Sequence, residues 1–86
     1  MKYCLRIESR AKKDLQALDF VVQKRIAKKL SFFLEQPDPL QFSNKLIDTS
    51  DGDYRWRVGH YRLVFDVRGG TIMLLRVQHR KDVYRK

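Results

Sequence analysis

From Tyr54 to Phe65 the chain reads Tyr-Arg-Trp-Arg-Val-Gly-His-Tyr-Arg-Leu-Val-Phe, with aromatic or apolar residues alternating with arginine on either side of Gly59-His60. A period of two is the period of a strand with one buried and one open face. A glycine-led pair between two such runs is a two-residue turn that folds the ribbon back on itself. That turn pairs Val58 with Tyr61, Arg57 with Arg62, Trp56 with Leu63 and Arg55 with Val64. Arg55, Arg57 and Arg62 then share the open face, two of them directly opposite each other, where like charges weaken a sheet. Such crowding is intelligible only if something anionic binds there.

The remaining charge points the same way. The net charge of the 86 residues is +9. Residues 54–86 hold nine Lys/Arg against two Asp/Glu, whereas residues 1–53 hold ten against eight. A basic excess confined to one region suggests nucleic acid, an anionic membrane surface or an acidic protein partner. The hydrophobic fraction of 43% is enough for a compact core, and the length fits one domain, residues 1–86. A single cysteine, Cys4, excludes an internal disulfide and a cysteine-based zinc site; its apolar-alternating neighbourhood predicts a small core residue. No apolar run is long enough to span a bilayer. Met1–Arg6 does not read as a secretory signal, so the expected location is the cytoplasm.

The pattern along the chain predicts an α+β fold. Residues 2–8 alternate as a first strand, with Tyr3, Leu5 and Ile7 on one side. Ser9 is placed to cap a first helix carrying Ala11, Leu15 and Leu18, and Asp19 a second. In the second helix Val22, Ile26, Leu30, Phe33 and Leu34 form one apolar stripe. Lys24, Arg25, Lys28 and Lys29 lie opposite, as a solvated face or an outer phosphate-contacting ridge. Pro37 and Pro39 end that helix. Residues 36–53 form one long connection in which Phe42 and Leu46 tuck onto the core, ending in the turn-forming Asp51-Gly52-Asp53. Strands at about 54–58, 61–68 and 71–78 follow as an antiparallel meander, with the second turn at Gly69-Gly70. Both helices pack on one face of the sheet. Arg76 is the open point: a two-residue turn at Gly69-Gly70 aims it at the core opposite Leu63, and a three-residue loop with a bulge puts it beside Arg62.

If the strand at 71–78 pairs with 61–68, the segment Gln78-His79-Arg80-Lys81-Asp82-Val83-Tyr84 emerges beside the Arg57/Arg62 end. His79, Arg80 and Tyr84 then complete a pocket with Arg55, Arg57 and Arg62. Guanidinium groups clamp phosphate bidentately and stay charged at any ordinary pH, and a tyrosine ring offers a stacking surface to an unpaired base. Metal-free RNA cleavage needs little more. The ribose 2′-hydroxyl attacks the adjacent phosphorus, a base takes its proton, cations stabilise the added negative charge and an acid protonates the leaving 5′-oxygen. Asp66 is the only acid within residues 54–81, which excludes two-metal chemistry with paired carboxylates. No cofactor or metal is expected. Trp56 and Tyr61 belong to the core by their alternation, His60 to the turn, and His79 is the histidine placed to carry a proton.

The runs Tyr54–Phe65 and His79–Arg85, with the strand, helix hairpin and meander around them, resemble the RelE/ParE superfamily of type II toxins. The resemblance spans essentially the whole chain. It implies a ribosome-dependent mRNA interferase that cuts mRNA in the ribosomal A site, and an acidic antitoxin as partner, with operator DNA bound only through the antitoxin. By the same resemblance Arg55 and Arg57 contact the phosphate and take part in acid/base chemistry. Arg62 holds the scissile phosphate, Arg80 acts as general acid or charge stabiliser, and Tyr84 stacks on the substrate base. Two positions depart from the pattern. Arg55 and Arg57 stand where relatives often have lysine, and arginine is a poor proton acceptor, so the base is His79, a ribosomal RNA group or water. Gln78 stands where relatives often have glycine. The same fold also serves inhibitors of the ParE type that poison DNA gyrase without cutting nucleic acid. A DNA-binding module is the weakest alternative, since no recognition-helix pattern is present.

Overall fold

The computed structural model describes residues 3–45 and 54–79. In chain order these form strand β1 (Cys4–Ile7), helix α1 (Ser9–Gln16), helix α2 (Phe20–Glu35), a short 3-10 helix (Pro39–Phe42) and strands β2 (Asn44–Lys45), β3 (Tyr54–Val58), β4 (Tyr61–Arg68) and β5 (Thr71–His79). The strands make one sheet in the order β1-β5-β4-β3-β2. β2, β3, β4 and β5 pair antiparallel, and β1 lies parallel to β5, Cys4 beside Thr71 and Ile7 beside Leu74. The α+β architecture, the helix pair and the meander are those expected. The two-residue strand β2 is not: it arises in the connection after Pro39 and pairs Asn44 with Arg55 and Lys45 with Tyr54. Leu46 and the Asp51-Gly52-Asp53 turn lie outside the described residues.

Both turns of the meander depend on glycine. Gly59 and Gly69 have φ of 60° and 59°, and no other residue has positive φ among those described. Positive φ at the first central residue alone is the pattern of a type II′ turn, whose twist suits flanking strands. This geometry sets the register of β3 on β4, which is the one predicted.

The core lies between the helices and one face of the sheet. Ala11 of α1, the Ile26, Leu30 and Phe33 stripe of α2, and Trp56, Val58, Leu63, Phe65, Ile72, Leu74 and Val77 of the strands are all buried. Its centre is Trp56, whose ring stacks on Phe65 at 4.1 Å and on Phe33 at 4.7 Å. The indole N–H donates to the Pro39 carbonyl at 3.2 Å, so the one polar atom of this buried side chain is satisfied. Phe42 packs its ring against Phe33, as expected of it, while keeping part of its surface exposed.

Two details differ from expectation. Cys4 is exposed and not in the core. Tyr3 and Leu5 pack against the core from β1, so alternation turns Cys4 to the other side, which no helix covers among the described residues. Helix α1 starts one residue early, its N-cap being Glu8, with Ser9 already helical. Asp19 is the N-cap of α2 as predicted, although its side chain makes no capping bond. The cations opposite the apolar stripe are exposed, and Lys24 and Lys29 lie over the rings of Phe20 and Phe32, each 5.3 Å from the centroid.

Truncating Trp56 to alanine should cost about 3–5 kcal/mol, read as a fall in the urea midpoint at unchanged slope; a loss below about 1 kcal/mol would displace Trp56 from the centre of the core. Cys4 should react with a thiol reagent in the native protein as fast as in urea. Protection in the native state would return it to the interior.

Candidate nucleic-acid interface

The position of the arginines follows from burial of their neighbours. Tyr54, Trp56 and Val58 face the helices, so the residues between them, Arg55 and Arg57, face away. Along β4, Leu63 and Phe65 face the helices, so Arg62, Val64 and Asp66 share the arginine side. Arg57 stands directly opposite Arg62, and Arg55 opposite Val64. In a two-residue hairpin the pair flanking the turn, Val58 and Tyr61, exchanges both backbone hydrogen bonds. The next pair is then of the non-hydrogen-bonded kind, with Cα atoms about 4.5 Å apart and side chains at their closest. Arg57 and Arg62 occupy that pair. Arg57 is exposed and Arg62 and Arg55 are half-buried.

This face has an apolar floor. Val64 is only 3% exposed although it lies on the side away from the helices. An arginine stem can lie along apolar surface while its charged head stays at the surface. The ingredients are therefore two arginines paired across β3 and β4, a third further along β3 and the buried Val64 on the same side. That combination suits an anion which is itself partly apolar, such as a phosphate carrying a sugar and base.

β5 brings its last residues to the same end of the sheet. Gln78 lies opposite Arg62 and His79 opposite Tyr61. His79 therefore shares the helix side with Tyr61, whose ring it meets edge-on at 5.0 Å, and its ring centroid is 6.0 Å from that of His60. His79 reaches the predicted end of the ribbon but stands across the sheet from the guanidinium pair. Arg80 and Tyr84 lie outside the described residues.

Arg76 takes neither of the two positions considered for it. The turn at Gly69-Gly70 is a two-residue turn, and Phe65 pairs with Leu74 in its register. A bulge then intervenes, so that Val64 pairs with Arg76 and Leu63 with Val77. The Arg76 side chain reaches α1, where its Nε donates to Asp14 at 2.8 Å. On the helix side of the first turn Arg25 is close by: its Nη1 lies 3.9 Å from where a Cβ on Gly59 would be. Neither Asp14 nor Arg25 was singled out by sequence reasoning for this part of the molecule. Among the described residues no group of three or more His, Cys, Asp or Glu gathers as metal ligands would, and no helix is long and apolar enough to cross a membrane.

Comparison with known proteins agrees with this architecture. Residues 5–84 match the family model described as the ParE toxin of the type II toxin–antitoxin system parDE. The chain is 31% identical to Toxin RelG of Mycobacterium tuberculosis over 88 aligned residues that cover both sequences completely. Among solved structures it is similar to the toxin–antitoxin complex RelBE2 of Mycobacterium tuberculosis, with a TM-score of 0.74 and 27% identity over 93% of each chain. It is also similar to the archaeal RelE–RelB complex of Pyrococcus horikoshii, with a TM-score of 0.71 and 30% identity over 93% of this chain and 97% of that one.

The cost of the facing cations is open to measurement. Arg57→Glu turns a like-charge pair into an ion pair, and it should raise stability by about 0.2–1 kcal/mol in phosphate-free buffer. The same change should weaken binding of a single-stranded oligoribonucleotide and flatten its salt dependence. A variant less stable than the parent, or one that binds RNA equally well, would contradict this reading of the face.

Proposed function

We propose that this chain, which belongs to the RelE/ParE superfamily of type II toxin–antitoxin toxins, is an endoribonuclease that cuts mRNA on the ribosome and so inhibits translation. The observation that carries this reading is the direct opposition of Arg57 and Arg62 above an apolar floor, with Arg55 beside them. Repulsion between them is a standing cost that a bound phosphodiester relieves.

In this reading Arg62 and Arg57 hold the scissile phosphate from two sides, and their charge stabilises the dianionic phosphorane formed when the 2′-hydroxyl attacks. Fixed cations need no rearrangement as that charge develops, so they act more strongly on the transition state than on the bound substrate. Arg55 grips the neighbouring phosphate. Arg80 neutralises or protonates the leaving 5′-oxygen and Tyr84 stacks on a substrate base, roles proposed from the family resemblance. Arginine cannot serve as the base. With His79 edge-on to Tyr61 on the other side of the sheet, the proton acceptor is assigned to ribosomal RNA or water, and His79 supports the strand end. No metal or cofactor takes part. The partner in the resting state is an acidic antitoxin, as the RelB complexes of the structural neighbours suggest; operator DNA is reached only through it, and the site of action is the cytoplasm.

A second reading rests on the family match, whose description names a ParE toxin. ParE-type members inhibit DNA gyrase by binding, without cutting nucleic acid. The two readings part at the arginine face, which a pure gyrase binder does not need.

Primer extension on cellular mRNA after induction should show discrete cuts in frame with codons, abolished by Arg62→Ala with growth arrest lost at equal protein level. His79→Ala should weaken arrest less than Arg62→Ala. Arrest with intact mRNA and gyrase-linked DNA breaks would replace the first reading by the second.

A further inference from the structure

β1 covers the outer edge of β5 only from Thr71 to Leu74. Beyond Leu74 no strand lies alongside among the described residues, and the backbone N–H groups of that edge need another acceptor. Helix α1 supplies one. Asp14 Oδ2 accepts the backbone N–H of Val77 at 2.9 Å and the Nε of Arg76 at 2.8 Å, while Oδ1 receives the more distant Arg76 Nη2 at 3.4 Å. One carboxylate thus grips two consecutive residues, and these directly follow the bulge.

The bulge determines what faces the arginines. In the register of the Gly69-Gly70 turn, continued without interruption, Arg62 would stand opposite Val77 and Tyr61 opposite Gln78. One inserted residue moves each partner by one. Val77 goes into the core opposite Leu63, and Gln78 comes opposite Arg62. Slippage by a single residue would exchange the faces of everything after Leu75. A bulge next to a binding site often re-aims a side chain in this way.

We propose that Asp14 is a positioning residue for the arginine face. By fastening the Val77 N–H to α1 it locks the bulge, and the locked register sets Gln78 against Arg62. The proposal rests on the reading of that face as the RNA-cleaving site, but its structural half is independent of it.

The experiment pairs a register probe with a functional one. Leu63 and Val77 form a non-hydrogen-bonded pair, whose Hα atoms approach closely enough for a strong nuclear Overhauser effect. Asp14→Ala should keep its helical circular dichroism, lose that cross-peak and lose at least ten-fold in mRNA cleavage. Arg76→Met leaves Asp14 bonded to Val77 and should keep both signals. Asp14→Asn retains one acceptor oxygen for the Val77 N–H and should recover most of the cleavage that alanine loses. Retention of the cross-peak in Asp14→Ala overturns the proposal, as does its loss with undiminished cleavage. If Asp14→Ala does not fold, the asparagine variant decides: both signals kept supports the lock, and a lost cross-peak with full cleavage ends it. A wild-type protein that cuts no mRNA defeats the RNA reading alone, since the cross-peak still reports whether Asp14 holds the register.

Discussion

Burial of Trp56 is the constraint on which the arginine face depends. Its indole is enclosed between Phe33 of α2 and Phe65 of β4, and its N–H is taken up by the Pro39 carbonyl. A strand residue held that firmly on one side leaves its two neighbours no choice of side. Arg55 and Arg57 are presented outward because Trp56 cannot turn. The same ring links the helix pair, the connection after α2 and the meander, so the stability of the core and the aim of the guanidinium groups share one origin.

The cost and the use of the charged face are two aspects of one arrangement. Sheets avoid like charges in directly opposed positions, and this one places two arginines in the pair type where side chains come closest. A fold selected for stability alone would put an acid at one of them. In the proposed reading, binding of a polyanion offsets that repulsion as well as adding attraction.

Much of this was legible in the sequence because the strongest local signals coincide. The Gly59-His60 pair fixes a type II′ turn, the turn fixes the register, and alternation then places Arg55, Arg57, Arg62 and Trp56 without further information. The features that escaped have a different cause. β2 has two residues and no period to read. Cys4 lies in an alternating strand, but which face of that strand is covered depends on its parallel pairing with β5, a long-range contact with no local mark. The side taken by His79 depends on the bulge. That bulge did leave a trace: the buried residues of β5 are Ile72, Leu74 and Val77, so the spacing changes from two to three where the extra residue enters. Asp14 escaped because its partners, Arg76 and the Val77 backbone, are more than sixty positions away.

The parallel pairing of β1 with β5 also bears on how the protein is made. The first strand described finds its hydrogen-bonding partner in the last strand described, so the sheet cannot close until the chain through β5 exists. Contacts of such long sequence separation slow folding, because the ends of the chain must meet before any bond rewards them. A polypeptide interrupted before Thr71 has neither the partner of β1 nor the cover of β4, and its unpaired edges are a target for proteases and a template for aggregation. Maturation is thereby tied to completion of the meander, and fragments released early carry the arginine ribbon without the scaffold that aims it.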